Sequence, residues 1–281
     1  MDLPASPTGP GDASASGASA THQSSASWSQ IGGRWARRIL AGLVSLIATY
    51  LGGCLLALLV YSMVFPPITG VQLQRQVEAA FSDAHTEQTY EPVPLARLDR
   101  DLPLAVVAGE DSRFFLHWGI DWKEVGKALR TYWQGGELRG ASSITQQLVK
   151  NLFMTTHSTL LRKALEVPLT YGAELLLSKR RILELYVNVI EWGPGVFGAE
   201  AATHYHYGTS AEHLSRYRAA ALAACIPNPL HRHPHTVDGY TSVILERMAI
   251  IGELPISAAA PPPESSASPA PFVFPTARKL P

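Results

Sequence analysis

The sequence has few of the features that mark several common protein classes. Its two cysteines, Cys54 and Cys225, are too few for a disulfide framework and say little about the compartment. Basic and acidic residues number 23 each, so no net charge favours nucleic acid as a partner. A G-x-S-x-G elbow, a Walker loop, paired zinc cysteines and the S-x-x-K and K-T-G pattern are all missing. These absences argue against serine hydrolases of that type, P-loop enzymes, zinc-cysteine proteins and penicillin-binding transpeptidases.

Metal-ligand patterns are also weak. The histidine-rich piece with His231, His233 and His235 lies in a proline-rich loop without a supporting carboxylate cluster. The same holds for His204 and His206. The sequence therefore predicts no firm metal site.

Charge is missing altogether from residues 39–65. As a helix, these 27 residues would be roughly 40 Å long, against a bilayer hydrocarbon core of about 30 Å. A buried core helix or a cleaved signal peptide is disfavoured at this length. Arg34, Arg37 and Arg38 precede the run, which predicts a cytoplasmic N-terminus and a chain that continues outside the membrane. Residues 39–65 are thus predicted to be a transmembrane signal anchor.

The other segments follow from composition and period. Residues 1–38 are rich in Ser, Ala and Gly and are predicted to be a disordered cytoplasmic tail with a basic flank. Helical periodicity, with few alternating β-branched runs, predicts a mainly α domain over residues 98–235. Three further segments are predicted: a stalk at 66–97, a helical extension at 236–257 and a disordered Pro/Ala/Ser tail at 258–281.

The first informative block is A-G-E-D-S-R-F-F-L-H-W-G-I-D, residues 108–121. An apolar run at 104–108 precedes Glu110, which predicts buried structure that delivers this carboxylate. If the helix continues, Glu110 shares a face with Arg113, and Arg113 with His117. Two interpretations stay open at this point: a structural salt bridge between Glu110 and Arg113, or a general base tuned by burial and a nearby cation.

The second block, G-A-S-S-I-T-Q-Q-L-V-K-N, covers residues 140–151 and predicts a helix with Ser142 as its N-cap. Ile144, Leu148 and Leu152 mark the side that faces the core. The opposite face is polar and carries Ser143, Gln146, Gln147, Lys150 and Asn151. Such a face suits hydrogen bonding to sugars and phosphates, although a solvated helix face has the same pattern.

Two further blocks add charge. L-R-K-A-L-E contains Arg162, Lys163 and Glu166, and K-R-R-I-L-E-L-Y-V-N contains Glu184 and Asn188. Local salt bridges explain both pieces individually. Between residues 139 and 181, however, seven cations stand against two acids, a surplus of five. This surplus favours an anionic ligand such as a phosphate, or a surface drawn to anionic lipid headgroups.

The fifth block, E-W-G-P-G-V-F-G-A-E at 191–200, has four glycines or prolines in a loop-like stretch that brings backbone close to a ligand. Together and in this order, the five blocks resemble the peptidoglycan glycosyltransferase (transglycosylase) family in its monofunctional biosynthetic form. This family is related to the glycosyltransferase domain of class A penicillin-binding proteins. The resemblance covers residues 104–229, a little under half of the chain.

The resemblance implies a lysozyme-like, mainly α glycosyltransferase domain behind a single N-terminal transmembrane helix. It implies polymerisation of lipid II into β-1,4-linked glycan strands, with inversion and release of polyprenyl diphosphate, for cell-wall synthesis. The expected place is the outer, periplasmic side of the bacterial cytoplasmic (inner) membrane. The expected partners are lipid II, the growing strand and the bilayer, not nucleic acid, and other cell-wall synthesis proteins stay open.

The resemblance also implies roles for single residues. Glu110 is the base, and Glu166 assists the diphosphate directly or through a divalent cation, Mg²⁺ or Mn²⁺. Contacts with substrate are implied for Arg113, Ser143, Gln146, Gln147, Lys150, Asn151, Arg162 and Lys163. Supporting roles are implied for Asp111, His117, Glu184 and Asn188.

One departure from the family pattern keeps an alternative open. Ser158 stands where the family usually carries an arginine that contacts phosphate, with His157 beside it. The alternative is a catalytically weakened, membrane-anchored protein that binds lipid II or acts as a scaffold. A lytic enzyme is disfavoured, because a cation-rich site has no obvious use in cleaving an uncharged glycosidic bond. An apolar lip that dips into the membrane, or ordinary core packing, is expected of Leu152, Phe153, Met154, Leu160 and Leu161.

Overall fold

The computed structural model describes residues 25–81, 87–136, 140, 142–157, 159–256 and 272–273. The chain divides into two compact units, 1–51 and 52–281. The predicted tail at 258–281 lies outside the described residues apart from 272–273, as do residues 1–24 of the predicted N-terminal tail. From Ser25 onward the N-terminal tail is already part of a helix.

Helix α1 spans Ser25–Tyr61. Its part Trp35–Tyr61 is long and apolar enough to cross a membrane, and among the described helices it alone meets this test. Leucines along it, including Leu40, Leu46 and Leu56, remain exposed, as expected where lipid takes the place of a protein core. The prediction of one N-terminal apolar helix ahead of a mainly α domain is confirmed.

Nine further helices are described in the second unit: α2 Gly70–Ala80, α3 Asp101–Glu110, α4 Trp122–Trp133, α5 Ile144–Phe153, α6 Leu160–Leu176, α7 Lys179–Val189, α8 Ala199–Tyr207, α9 Arg216–Ala223 and α10 Asp238–Ile251. Four short strands accompany them: β1 Thr89–Tyr90, β2 Glu191–Gly193, β3 Val196–Phe197 and β4 Phe272–Val273. The order in the sheet is β2-β3-β1-β4, with β1 and β3 parallel and the other pairs antiparallel.

Helix α3 lies at the centre of the domain, because it is apolar on every side. Its residues Leu102 to Ala108 are all buried, and it packs against α9 and α10. Helix α5 forms a second packing centre against α6, α7 and α2. Its Ile144, Leu148 and Leu152 are buried as predicted. The end of α3 and the start of α5 meet at the site described below.

The segment 66–97, predicted as a stalk, packs onto the domain. Val71 and Tyr90 form a buried cluster with Phe197. Arg75 of α2 makes an ion pair with Glu191 of β2 at 2.9 Å. Burial and pairing of this kind fix the segment in place rather than leave it as a solvated connector.

Arg181 of α7 holds the chain that follows α1. Its Nε donates to the Tyr61 carbonyl at 2.8 Å, and its Nη2 donates to the Val64 carbonyl at 2.6 Å. Its guanidinium also lies over the Phe65 ring and pairs with Glu184. Arg181 is one of the seven cations in the charge surplus between residues 139 and 181, and these contacts commit it to the fold.

Candidate active site

A cleft of about 910 Å³ opens at the C-terminal end of α3. Glu110 is the last residue of that helix, so the buried apolar run carries its carboxylate to the cleft wall. The lining includes Glu110, Arg113, Ser142, Arg232, Tyr240 and Arg247. A carboxylate on a rigid buried helix, facing a cavity, has the placement that a general base requires.

Gln147 of α5 fixes the Glu110 carboxylate. Its Nε2 donates to Glu110 Oε2 at 2.8 Å, and its Oε1 accepts from the Tyr186 hydroxyl at 2.8 Å. Burial raises the pKa of Glu110, and this effect outweighs the opposing influence of the Gln147 hydrogen bond and of Lys150. Tyr186 is fully buried and its pKa is raised well above its ordinary value, so it stays a neutral donor. The Tyr186 hydroxyl therefore fixes the orientation of the Gln147 amide.

Asp111 is the C-cap residue of α3, and it links α3 to α5. Its carboxylate accepts from the backbone N–H of Ile144 at 3.1 Å and pairs with His117 Nε2 at 3.0 Å. Both Asp111 and His117 have buried side chains. Asp111 and His117 thus help to hold the C-terminal end of α3, which carries Glu110.

The predicted shared face of Glu110 and Arg113 is wrong. The helix ends at Glu110, and Arg113 lies beyond it, where its Nε donates to Asp121 Oδ2 at 2.8 Å. Burial pushes the pKa of Asp121 upward, but backbone N–H groups at the start of α4 and Arg113 lower it overall. Arg113 lines the cleft with its charge committed to Asp121, and no described ion pair joins it to Glu110.

The predicted N-cap of α5 is also wrong. Ser143, not Ser142, caps the helix: its Oγ accepts from the Gln146 N–H at 3.2 Å, and Gln146 Oε1 accepts from the Ser143 N–H at 3.1 Å. The Ser143 hydroxyl also donates to the Gly119 carbonyl. Asn151 is buried and donates to the Gln147 carbonyl at 2.8 Å. Three residues of the predicted polar face thus form hydrogen bonds within the protein: Ser143, Gln146 and Asn151.

A second, smaller cavity of about 210 Å³ lies beyond Gln147. The Lys150 side chain lines it, and among the described residues this side chain forms no hydrogen bond or ion pair. Burial lowers the pKa of Lys150, and the positive charge of Arg162 lowers it further. A buried cation with other cations nearby favours the entry of an anion, because the anion offsets their mutual repulsion.

Glu166 anchors the other two cations of this cavity. It is about 1 % exposed, and its carboxylate pairs with Arg162 at 3.2 Å and with Lys163 at 2.7 Å. Lys163 also donates to the Ser142 hydroxyl at 3.1 Å. The buried Nε of Arg162 has no hydrogen-bond partner among the described atoms. We call Lys150, Arg162, Lys163 and Glu166 the cation pocket, and its formal charge is about +2.

Possible metal ligands come together at one place among the described residues. Ligand atoms of Asp111, His117 and Asp121 lie within 4.8 Å of one another, so this group could bind a metal ion. Each of the two carboxylates already has partners: Asp111 has His117 and the Ile144 N–H, and Asp121 has Arg113. These contacts explain why Asp111, His117 and Asp121 lie together: they hold the loop after α3 in its conformation.

Glu184 and Asn188 lie on α7, away from both cavities. Glu184 Oε1 accepts from the Leu95 N–H at 2.8 Å. Asn188 is fully buried, and its amide exchanges hydrogen bonds with the N–H and carbonyl of Val93 at 2.9 and 2.8 Å. They hold the segment before α3 in register with α7.

Of the five residues considered for an apolar lip, two are clearly exposed. Leu160 is 91 % exposed and Leu161 65 % exposed at the start of α6, whereas Leu152 and Met154 are buried. Ser158 lies outside the described residues, and its neighbour His157 is exposed.

The sequence blocks gave no sign of three residues that line the cleft: Arg232, Tyr240 and Arg247. Arg232 lies in the histidine-rich loop, and the other two lie on α10. Tyr240 and Arg247 are seven residues apart and therefore share a helix face, which is the signal that could have pointed to them.

Comparisons with known proteins show which family the chain resembles. The transglycosylase family model matches residues 75–251. The biosynthetic peptidoglycan transglycosylase of Pseudomonas putida (strain W619) is 42 % identical over 192 residues, covering 68 % of this chain and 81 % of that protein. The protein of the same name from Pseudomonas fluorescens (strain SBW25) is 45 % identical over 174 residues, covering 62 % and 72 %.

A third relative of that name, from Stutzerimonas stutzeri (strain A1501), is 41 % identical over 193 residues, covering 69 % of this chain and 80 % of its own length. The family model spans more than half of the chain, from within α2 to the end of α10. The chain therefore belongs to the transglycosylase family and is a peptidoglycan glycosyltransferase of cell-wall synthesis.

Proposed function

We propose that the chain polymerises lipid II into β-1,4-linked glycan strands, with Glu110 as the general base and the cation pocket as the site of the diphosphate. One observation carries this proposal: Gln147 bonds the Glu110 carboxylate and also lines the cation pocket. A proton acceptor and an anion site thus lie on either side of one fixed amide. A reaction with a hydroxyl acceptor and an anionic leaving group needs both.

The proposed step is a single displacement at the anomeric carbon of the growing strand. The oxygen of the acceptor sugar hydroxyl forms the new bond to that carbon, and its proton passes to Glu110. The bond from the same carbon to the diphosphate oxygen breaks on the opposite face, and the electron pair leaves with polyprenyl diphosphate. Attack opposite the leaving group inverts the α-linked donor to a β linkage.

The leaving group needs charge stabilisation rather than protonation, because a diphosphate is already a weak base. Among the described residues no hydrogen bond or ion pair engages the Lys150 side chain, so its charge can stabilise the charge that develops on the diphosphate. Arg162 and Lys163 are placed by Glu166 on the same cavity. A group of this kind stabilises a transition state without reorganising, which contributes about 10²–10³ in rate per donor.

A divalent cation does not fit the donor set at the cation pocket. Mg²⁺ and Mn²⁺ at a phosphate need carboxylates that are free to coordinate them, whereas the carboxylate in this cavity, Glu166, lies among three cationic side chains. Arg162 and Lys163 already neutralise that carboxylate. We therefore assign neutralisation of the diphosphate to Lys150, Arg162 and Lys163, and we assign Glu166 the task of holding two of them.

The apolar helix supports a membrane-anchored form of this reaction. Trp35–Tyr61 would hold the enzyme in the bilayer that also holds the lipid tail of the substrate. Confining both to one membrane raises their effective concentration. Arg34, Arg37 and Arg38 lie in α1 just before its uncharged stretch, and they support a cytoplasmic N-terminus and a catalytic domain on the outer side of the cytoplasmic membrane.

The test is polymerisation of fluorescently labelled lipid II by the purified full-length protein in detergent or vesicles. We expect glycan polymer from the wild type, and at least a 10³-fold loss for Glu110→Gln, which keeps the shape of the side chain but cannot take up the proton. Glu253→Gln is the matched control, because Glu253 is an exposed carboxylate with a 4.0 Å contact to Arg100 and lies outside both cavities.

Two other outcomes would contradict the proposal. Binding of lipid II without polymer, at every pH and with or without Mg²⁺ or Mn²⁺, would identify a scaffold with a weakened site. Shortening of preformed glycan strands would identify a lytic enzyme.

A further inference from the structure

The C-terminal turn of α3 is held by side chains of α10. The Tyr240 hydroxyl donates to the Gly109 carbonyl at 2.8 Å. Arg247 Nη1 donates to the Ala108 carbonyl at 3.1 Å and lies 3.5 Å from the Gly109 carbonyl. These are the two carbonyls that immediately precede Glu110.

Such carbonyls have a specific electrostatic effect. The last carbonyls of a helix have no partner within the helix, and they form the negative end of its dipole. A carboxylate at that end is disfavoured in its ionised form. The guanidinium of Arg247 and the hydroxyl of Tyr240 both point donors at these oxygens, so they offset the unfavourable end of α3 beside Glu110.

The packing between the two helices makes the arrangement rigid. Ile244 lies one turn after Tyr240 on α10, is fully buried, and faces Gly109. A Cβ atom at Gly109 would lie only 3.2 Å from Ile244 Cδ1, so the lack of a side chain at Gly109 gives Ile244 its place against α3. The contact fixes the distance over which Tyr240 and Arg247 reach the carbonyls.

We propose that α10 is a positioning element for the general base: Tyr240 and Arg247 hold the carbonyls of residues 108 and 109 and thereby set the place and the charge state of Glu110. This inference rests on the proposed role of Glu110 as the base. Tyr240 and Arg247 act through the α3 backbone, and they are therefore positioning residues rather than groups that take up the proton.

Other groups also face Glu110 and must be separated from this effect. They are Asp111 beside it, Gln147 and Lys150 of α5, Tyr186 of α7, Arg232 of the loop after α9, and Tyr240 itself. Of these elements, α10 is the one whose described hydrogen bonds go to the carbonyls of residues 108 and 109 from another helix. Ser112 adds a local bond to the Ala108 carbonyl at 3.1 Å.

The test compares Arg247→Gln, Arg247→Lys and Tyr240→Phe by the pH dependence of lipid II polymerisation. Without the Arg247 cation the ionised form of Glu110 is less favoured, so the acid limb of kcat/KM moves to higher pH, by roughly half a unit. The rate falls about threefold below the limb and recovers above it. Arg247→Lys keeps a cation and returns the limb most of the way to its wild-type position, and Tyr240→Phe gives a smaller shift to higher pH.

Arg216→Gln is the matched control. Arg216 of α9 pairs at 3.0 Å with Asp101, the first residue of α3, and therefore contacts the end of α3 opposite to Glu110. We expect its acid limb to stay where the wild type has it. The inference is overturned if Arg247→Gln and Tyr240→Phe lose rate equally at all pH values, or if Arg216→Gln gives the same shift. If Arg247→Gln fails to fold, the limb of Tyr240→Phe decides.

Failure of the underlying proposal has a different signature. Wild-type protein and Glu110→Gln are run in the same assay. If Glu110→Gln still polymerises lipid II, the base assignment is wrong. If Glu110→Gln is inactive but the α10 variants keep the wild-type limb, only the positioning inference is wrong.

Discussion

At the scale of single residues, the site depends on one amide. Gln147 donates to Glu110 and accepts from Tyr186, which lie 37 and 39 residues away in the sequence. Local periodicity placed Gln147 on the polar face of α5, but no local pattern could name these partners. The amide matters because burial alone would push Glu110 toward its protonated form.

Gln147→Met should raise the pKa of Glu110 further, because burial then acts without the opposing hydrogen bond. A hydrogen bond to a charged group is worth about 1.5–3 kcal/mol, which corresponds to roughly a 10- to 150-fold loss of activity at neutral pH. Since the base must be ionised, part of the loss should return as pH rises. The pH profile of lipid II polymerisation measures both effects.

Tyr186→Phe supplies the comparison, since it removes only the hydroxyl that orients the Gln147 amide. We expect a loss of less than tenfold at neutral pH. Activity of Gln147→Met equal to that of the wild type would show that the bond to Glu110 does not help the base.

At the scale of secondary-structure elements, much of the site could be predicted and two helix boundaries were missed. The core-facing side of α5 and the burial of the run before Glu110 followed from periodicity and were confirmed. The end of α3 did not, because nothing in the local sequence stops a helix at Glu110. Tertiary contacts decide it: Asp111 turns its carboxylate to the Ile144 N–H and to His117, which breaks the helix.

The N-cap of α5 was missed although the signal was present. Ser143 is followed three residues later by Gln146, which is the pattern of a capping box, whereas Ser142 is followed by Thr145. The structure forms the box from Ser143 and Gln146. The glutamine three residues on, rather than the first serine of the pair, identifies the cap.

Ser143→Ala should lower the free energy of unfolding by about 1–2 kcal/mol. It removes the cap of α5 and leaves the Gly119 carbonyl without the Ser143 hydroxyl. Thermal unfolding of the full-length protein in detergent measures the change. Ser143→Thr keeps a hydroxyl at the cap and should lose less.

Ser142→Ala is the matched control at the neighbouring position. The Ser142 hydroxyl accepts from Lys163 at the edge of the cation pocket and caps no helix, so little stability should be lost. Equal destabilisation by the two alanine substitutions would contradict the assignment of Ser143 as the cap.

At the scale of the whole molecule, class and gross organisation were predictable and the smaller connections were not. Long helical periods and an uncharged run predict a mainly α domain behind one apolar helix, which is confirmed. Strands of two or three residues, such as β1 and β3, are too short to show an alternating period. The contribution of α10 to the cleft was missed because the spacing of Tyr240 and Arg247 shows only a shared helix face, and the backbone carbonyls that they contact have no sequence pattern of their own.

At the scale of the whole chain, the charge before the apolar run predicts an orientation in the membrane. Arg34, Arg37 and Arg38 precede the apolar run, and positive charge is retained on the cytoplasmic side. Alkaline phosphatase fused after Pro281 should therefore be active in intact bacterial cells, because that enzyme folds outside the cytoplasm. Changing the three arginines to glutamate should lower the active fraction at equal expression, whereas changing them to lysine should leave it unaltered. An inactive wild-type fusion would place the cleft on the cytoplasmic side, where a lipid-linked donor presented at the outer face could not reach Glu110.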